Sequence, residues 1–122
     1  MEKEIMVRIE EHENILYTIA EEKLEDEDYN RIIPLLEAKI KTYGLVRWYF
    51  EMKNFKGWSL SALWKDLKVD FKNRNKYEKV AMVGDKEWEE KLTDLMKPFT
   101  DADVKYFPLS EAEKARNWIK NP

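Results

Sequence analysis

The residue types that most often carry enzyme chemistry are scarce in this chain. Its 122 residues include no cysteine and one histidine, His12. Thiolate nucleophiles, disulfides and Cys/His zinc sites are therefore excluded, as is nearly every histidine-based catalytic arrangement. His12 alone could serve as a proton shuttle or as one metal ligand, but zinc needs three or four converging ligands. We therefore expect His12 to be a solvated surface residue, and we expect no metal site and no cofactor.

Three acids, Glu51, Asp66 and Asp85, could in principle act as a general acid and a general base. Such catalysis needs two groups within reach of one substrate. Nothing in the spacing of these acids brings two of them together. The sequence therefore predicts that the protein is not an enzyme.

A short loop at residues 54–59 is the best candidate for binding. Gly57 permits close approach of the backbone, Lys56 adds positive charge and Ser59 adds a hydroxyl. If a strand precedes this loop and a helix follows it, free N–H groups there could hold an anion. The alternative is structural: Gly57 makes a tight turn, Ser59 caps the helix and Trp58 packs over the helix end, which is the commoner arrangement.

Gly84 and Asp85 occupy the equivalent position after the next predicted strand. With Lys86 they could form the second wall of the same cleft. The alternative is that Gly84 is a turn glycine and Asp85 caps the following helix. Both interpretations stay open at this point.

Charge is distributed unevenly along the chain, although the net formal charge is only −3. Residues 1–28 carry eleven acids and three bases, whereas bases concentrate at residues 72–79. These runs could be a partner-docking surface and an anion site. Acids at a helix start and bases just past a helix end also stabilise the helix dipole, and this is the simpler explanation. An acidic protein with a weak basic footprint gives no reason to expect nucleic-acid binding.

The elements that would position these residues follow from hydrophobic periodicity. Alternating or short apolar runs predict strands at 5–9, 15–20, 46–52, 79–83 and 104–107. Helical stripes predict four helices: from Asp26 to a Gly44 cap, after Ser59 through Phe71, from Asp85 to Pro98, and from a capping box at Ser110 and Glu113 onward.

This order, β-β-α-β-α-β-α-β-α, predicts a single α/β domain over residues 1–122 with a five-stranded mixed sheet. The strand at 46–52 alternates apolar and polar residues, although a strand covered on both faces should be apolar throughout. We therefore expect the helices mainly on one face, with the Arg47, Tyr49 and Glu51 side open or covered by a second subunit. Together with sixteen large aromatic residues, this suggests a homodimer.

The first residues are charged, and the apolar stretch that follows is too short for a signal peptide. No apolar run approaches the roughly 20 residues that a membrane span requires. We expect a soluble, cytoplasmic protein.

Several segments together resemble the SpoIIAA-like family of small bacterial proteins, which is grouped with STAS domains and with the CRAL-TRIO lipid carriers. The resemblance extends over nearly the whole chain and is carried by these residues: the turn Gly57-Trp58-Ser59-Leu60, Trp64 with Asp66, Val83-Gly84-Asp85 with Trp88, Tyr106-Phe107, and Ala115 to Trp118.

The resemblance implies a βα superhelix fold and no established enzymatic activity. In the anti-sigma-factor antagonists of this group, a serine at the start of the helix after the third strand is phosphorylated, which switches partner binding. Residues 54–61 correspond to that segment, and Ser59 is the nearest candidate for phosphorylation. The chain departs from the pattern because Phe55 and Lys56 precede Gly57 and Ser59 follows it.

The sequence and the resemblance together leave two candidate functions. The first is a non-enzymatic, STAS-like regulatory module that binds a protein partner through residues 54–61, with Gly84 and Asp85 nearby. The second is a small carrier of an apolar or anionic, lipid-like ligand, for which a 122-residue domain offers little interior volume.

Overall fold

The structure, a computed structural model, describes residues 7–58, 75–97 and 101–122. Five strands in these ranges form one sheet in the order β1-β2-β3-β4-β5: β1 (Val7–His12), β2 (Ile15–Leu24), β3 (Val46–Trp58), β4 (Tyr77–Gly84) and β5 (Asp103–Pro108). β1 and β2 are antiparallel, and the three other neighbouring pairs are parallel. The predicted mixed five-stranded sheet is confirmed.

The described residues contain three α-helices: α1 (Asp26–Tyr43), α2 (Glu87–Met96) and α3 (Ala112–Lys120). The helix predicted after Ser59 lies outside the described residues. The predicted Gly44 cap is confirmed, since this glycine has a φ of 87° and donates its N–H to the Ile40 carbonyl at 2.8 Å. In the parts of the chain that the structure describes, no helix combines the length and apolar content needed to cross a membrane.

One layer of the core lies between α1 and the sheet. The predicted stripe of α1 is confirmed: Tyr29, Ile32 and Leu36 are buried, and Ile33 and Ile40 pack beside them. The sheet contributes alternate residues of successive strands, as the period of two requires. They are Leu16, Ala20, Trp48, Phe50, Val80, Met82 and Val104.

The opposite face of the sheet, which we call the α3 face, is covered by α3. Ala115 and Ile119 pack there against a second apolar cluster: Ile15, Tyr17, Ile19, Tyr49, Ala81, Val83 and Phe107. Tyr49 is fully buried, and Arg47 and Glu51 are also buried. The expectation that this side is open or covered by a second subunit is therefore wrong, because the chain's own C-terminal helix covers it.

Two cations hold the end of α3 against the sheet. Arg47 donates from Nη1 to the carbonyls of Ile119 and Asn121, each at 2.8 Å, and Lys79 donates from Nζ to the carbonyls of Trp118 and Asn121 at 3.0 and 2.6 Å. These carbonyls have no partner within the helix and carry its partial negative charge. The alternation of β3 therefore reflects polar residues that anchor a helix.

β3 is longer than the sequence predicts. Its pairing with β4 ends at Glu51 and Val83, whereas its pairing with β2 continues to Leu24 and Trp58. A bulge interrupts this second ladder, and Glu22 and Asn54 have positive φ values of 65° and 48° in it. The predicted loop at residues 54–58 is thus a strand, and the interpretation as a loop is wrong.

Candidate functional site

The predicted binding residues lie at the carboxyl edge of the sheet, where β2, β3, β4 and β5 end. Lys56, Gly57 and Trp58 are the last residues of β3, and Gly57 pairs with Lys23 across the bulge. Residues 21–24 of β2 and 53–58 of β3 form what we call the strand extension. Ser59, including its suggested phosphorylation, lies outside the described residues.

Gly84 and Asp85 lie beside the base of the strand extension. Gly84 is the last residue of β4, and the Asp85 carboxylate accepts a hydrogen bond from the Asn54 backbone N–H at 3.4 Å. The structure thus brings the end of β4 and the β3 bulge together. The contact joins Asp85 to Asn54.

Glu89 lies over Gly84 and closes the turn into α2. Its Oε1 accepts the backbone N–H groups of Asp85 and Lys86 at 3.0 and 2.8 Å. A Cβ at Gly84 would lie 2.9 Å from the Cδ of Glu89 and closer still to Oε1, so only glycine permits this approach. The predicted cap by Asp85 is therefore wrong: Lys86 is the N-cap residue, and the carboxylate of Glu89 satisfies the free N–H groups.

Several carboxylates influence one another at this turn. Glu89 is fully buried, and burial raises its pKa above the ordinary value, with the two backbone hydrogen bonds opposing that rise. Burial, followed by the charges of Glu89, Glu90 and Asp85, raises the pKa of Tyr106 to about 12. The turn therefore brings Asp85, Glu89 and Glu90 together around Tyr106, a grouping that the sequence analysis did not predict.

A second polar cluster lies on the α3 face. The Tyr49 hydroxyl donates to Glu51 Oε1 at 2.5 Å, and the Arg116 guanidinium lies 4.8 Å from the Tyr49 ring and 5.1 Å from the Tyr17 ring. Burial and the neighbouring Glu51 carboxylate raise the pKa of Tyr49 well above its usual range. These contacts attach α3 to the sheet through cation–π interactions and a buried hydrogen bond.

The remaining candidates are structural or lie outside the described ranges. His12 is exposed, and its Nε2 lies 3.8 Å from a carboxylate oxygen of Glu13, which confirms it as a surface residue. Lys79, from the basic run at 72–79, donates to carbonyls at the end of α3. Asp66 lies outside the described residues. Within residues 7–58, 75–97 and 101–122, no three His, Asp or Glu side chains converge as a metal site.

Sequence reasoning missed Glu89 and Tyr106. A signal for Glu89 was present, because an acid at the third position of a helix commonly accepts the first backbone N–H groups. That signal identifies Glu89 once the helix start is moved from Asp85 to Lys86. Tyr106 has no comparable signal, since its proximity to Gly84 depends on the pairing of β4 with β5.

Comparison with known proteins agrees with this architecture. A family model described as SpoIIAA-like matches residues 15–120. A crystal structure of an uncharacterised DUF3478-family protein with a SpoIIAA-like fold, from Shewanella loihica PV-4, is similar with a TM-score of 0.74 and 28% identity, over 98% of each chain. No curated protein matches the chain. Because the family model covers most of its length, the chain belongs to the SpoIIAA-like family.

Proposed function

We propose that this chain is a non-enzymatic, STAS-like regulatory module that binds a protein partner at the carboxyl edge of its sheet. The observation that carries the proposal is the strand extension. In the described residues, β3 runs past its last pairing with β4 at Glu51 and pairs only with β2 as far as Trp58. The extension offers strand backbone beyond the body of the sheet.

The composition of the extension supports a binding role. Phe55, Lys56 and Trp58 place two aromatic residues and one cation within four positions. Aromatic residues contribute much of the energy of protein interfaces. Strand edges are a common means of recognising an extended partner, because backbone hydrogen bonds give affinity and alternate side chains give specificity.

The non-enzymatic part of the proposal is supported by the arrangement of the acids. Oε1 of Glu89 accepts the N–H groups of Asp85 and Lys86, and Oε1 of Glu51 accepts the Tyr49 hydroxyl. Each carboxylate therefore has a structural use. A general acid and a general base must instead face a shared substrate.

Site-specific photo-crosslinking in the native host tests the proposal. A benzoylphenylalanine introduced in place of Lys56 should form an adduct of one discrete mass with another protein. The matched control replaces Lys120, an exposed lysine at the far end of α3. Adducts absent at position 56, or identical at both positions, would contradict the proposal.

The carrier hypothesis receives less support. Both faces of the sheet are filled by this chain's own side chains, including Leu16 and Met52 on one face and Tyr49 and Val83 on the other. Native mass spectrometry separates the two functions, because a carrier retains a small molecule of constant mass and a binding module does not.

The homodimer stays a prediction. The sheet-face argument no longer supports it, because α3 covers Tyr49. Analytical ultracentrifugation at micromolar concentration measures the oligomeric state directly.

A further inference from the structure

We propose that two copies of this chain associate by antiparallel pairing of their β1 strands, which makes one continuous sheet across a twofold axis. The proposal concerns the outer edge of β1 (Val7–His12) and goes beyond the proposed function, because it uses no residue of the strand extension. Three observations carry it: the exposure of this edge, the direction of its backbone groups, and the order of the charges along it.

β1 is the outermost strand of the described sheet and is exposed along most of its length. Among the described strands it pairs with β2 alone. Four of its six residues are exposed and one, Ile9, is half-buried, whereas β4 in the interior of the sheet has no exposed residue. An edge strand that is accessible in this way can add a strand from a second chain.

The turn between β1 and β2 determines which backbone groups of β1 face outward. Two residues, 13–14, connect His12 to Ile15, and the residues that flank such a turn are joined by hydrogen bonds between their backbones. Bonding alternates along an antiparallel ladder, so every second residue of β1 before His12 bonds to β2 and the others do not.

Val7, Ile9 and Glu11 therefore direct their backbone N–H and C=O groups away from β2. The Val7 carbonyl agrees with this direction, since it accepts a hydrogen bond from Arg31 of α1 at 3.3 Å. A carbonyl oxygen has two lone pairs, so this bond leaves one for a further donor. The outer edge of β1 thus offers the donors and acceptors that a second strand needs.

The charges of β1 select one register for two copies. Charged side chains on an edge commonly prevent pairing, so the signs of the opposed charges decide whether two strands fit. With Ile9 opposite Ile9, Arg8 of each copy lies directly opposite Glu10 of the other. Sliding one strand by two residues in either direction places Arg8 opposite Arg8 or Glu10 opposite Glu10, and like charges directly opposite are destabilising.

The neighbouring charges leave Arg8 and Glu10 for this role. Glu11 is paired with Lys39 of α1 at 3.3 Å. Arg116 lies over the ring of Tyr17, the β2 neighbour of Glu10, but forms no ion pair with Glu10. Within the described ranges, Arg8 and Glu10 have no ion-pair partner. A second copy supplies one to each of them.

Charge reversal at these two positions tests the register. Sedimentation equilibrium of the native chain at micromolar concentration should give the mass of a dimer. Arg8→Glu and Glu10→Arg should each weaken the dimer by about tenfold or more, because each reversal places two like-charged pairs across the axis. Glu37→Arg, a reversal at an exposed position of α1, is the matched control and should leave the dimer unchanged.

Combining the reversals should restore the dimer. The double variant Arg8→Glu/Glu10→Arg again places an acid opposite a base, so it should dimerise as the native chain does. An equimolar mixture of the two single variants should form a heterodimer, because one chain then carries acids at both positions and the other carries bases. A substitution that only perturbed the folding of β1 would not be rescued in either way.

Single cysteines measure the register directly, since the chain has no cysteine of its own. In the proposed pairing the two Cα atoms at position 9 are about 5.5 Å apart, as in a hydrogen-bonded pair. Those at position 11 are at least about 13 Å apart, because four residues of strand separate them. A bifunctional thiol reagent with a short spacer should therefore join Ile9→Cys chains but not Glu11→Cys chains, although position 11 is more exposed.

Four results would overturn the proposal. They are a native chain that sediments as a monomer, which leaves the edge for a strand of another protein; a dimer that both reversals leave intact; a mixture of the two variants that stays monomeric; and equal crosslinking at positions 9 and 11. The photo-crosslink at position 56 does not depend on β1, so these results do not bear on the proposed function.

Discussion

At the scale of single residues, the contact between Gly84 and Glu89 requires a residue without a side chain at the start of the β4–α2 turn. Replacing Gly84 with alanine places a methyl group against the Glu89 carboxylate, which must move away from the N–H groups of Asp85 and Lys86. We expect Gly84→Ala to lower the free energy of unfolding by about 1–3 kcal/mol, as overpacking and loss of a cap do. Urea unfolding measures the change.

A double-mutant cycle isolates this contact. In a Glu89→Ala background the alanine at position 84 meets no carboxylate, so its cost should fall by about 1 kcal/mol or more. Equal costs in the two backgrounds would mean that Gly84 is required for another reason.

Glu89 also predicts the pH dependence of stability. Because burial raises its pKa above the ordinary 4.5, the folded protein keeps a proton where the unfolded chain has released it. This contribution to stability is complete below the unfolded pKa and is lost as the pH rises through the folded pKa. Glu89→Gln should therefore remove an increase in unfolding free energy that we expect as the pH falls toward the ordinary value of 4.5. An unchanged pH profile would exclude Glu89 as its source.

Individual roles were the least predictable from the sequence. Gly44 was identified correctly because a left-handed helix end has a local cause. The capping role of Asp85 was wrong because helix starts are uncertain by one or two residues, and a shift to Lys86 transfers the role to Glu89. The last helix shows the same effect: it begins at Ala112 with Glu111 as its N-cap, not with the predicted Ser110 box.

At the scale of elements, α3 depends on cations of the sheet. Nine residues are too few for a stable isolated helix, so its docking must hold it. Arg47→Met removes the donors to the Ile119 and Asn121 carbonyls and leaves Glu78 without its ion-pair partner. We expect a loss of about 2–3 kcal/mol in unfolding free energy. Hydrogen exchange of residues 115–120 should accelerate.

Lys79→Met is the comparison for this prediction. Lys79 also donates to two carbonyls and lies over the Trp118 ring, but it is only half-buried and forms no ion pair with a carboxylate in the described ranges. Its cost should be smaller than that of Arg47→Met. The reverse order would contradict the role assigned to Arg47.

Element types were predicted well, but the length of β3 was not. The alternation at 46–52 reflects which side chains are buried. That burial changes after Glu51, where β3 stops pairing with β4. Beyond Glu51 the strand is maintained by β2 across a bulge, and a pairing between residues thirty positions apart leaves no periodic trace. The same limit applies to the α3 face, because polar residues that bind a helix end give the same pattern as polar residues in solvent.

At the scale of the whole molecule, α3 is the cover of one apolar layer. Removing the residues after Glu111 would expose Tyr49, Val83 and Phe107 on the sheet. We expect the shortened chain to self-associate, because contiguous exposed apolar surface drives association. Sedimentation velocity against the full chain measures this, with circular dichroism to verify the sheet. A shortened chain that stays folded and does not self-associate would contradict the role of α3 as a cover.

The architecture was the most predictable feature. Alternation of strands and helices requires parallel neighbours and right-handed crossovers, which leaves few arrangements for five strands. The strand order could not be read from the sequence, because periodicity states which residues are buried but not which strands are adjacent.

The observed order of the strands has a consequence for synthesis. Each strand pairs with the strand synthesised just before it. Each new strand therefore pairs with the current edge strand of the nascent sheet, and no earlier pair of strands has to separate. Pairing between consecutive strands needs less chain separation than pairing between strands distant in the order, which favours stepwise formation of the sheet as the polypeptide leaves the ribosome. The face completed by α3 is the exception, since its apolar layer stays uncovered until α3, which follows all five strands, has been made.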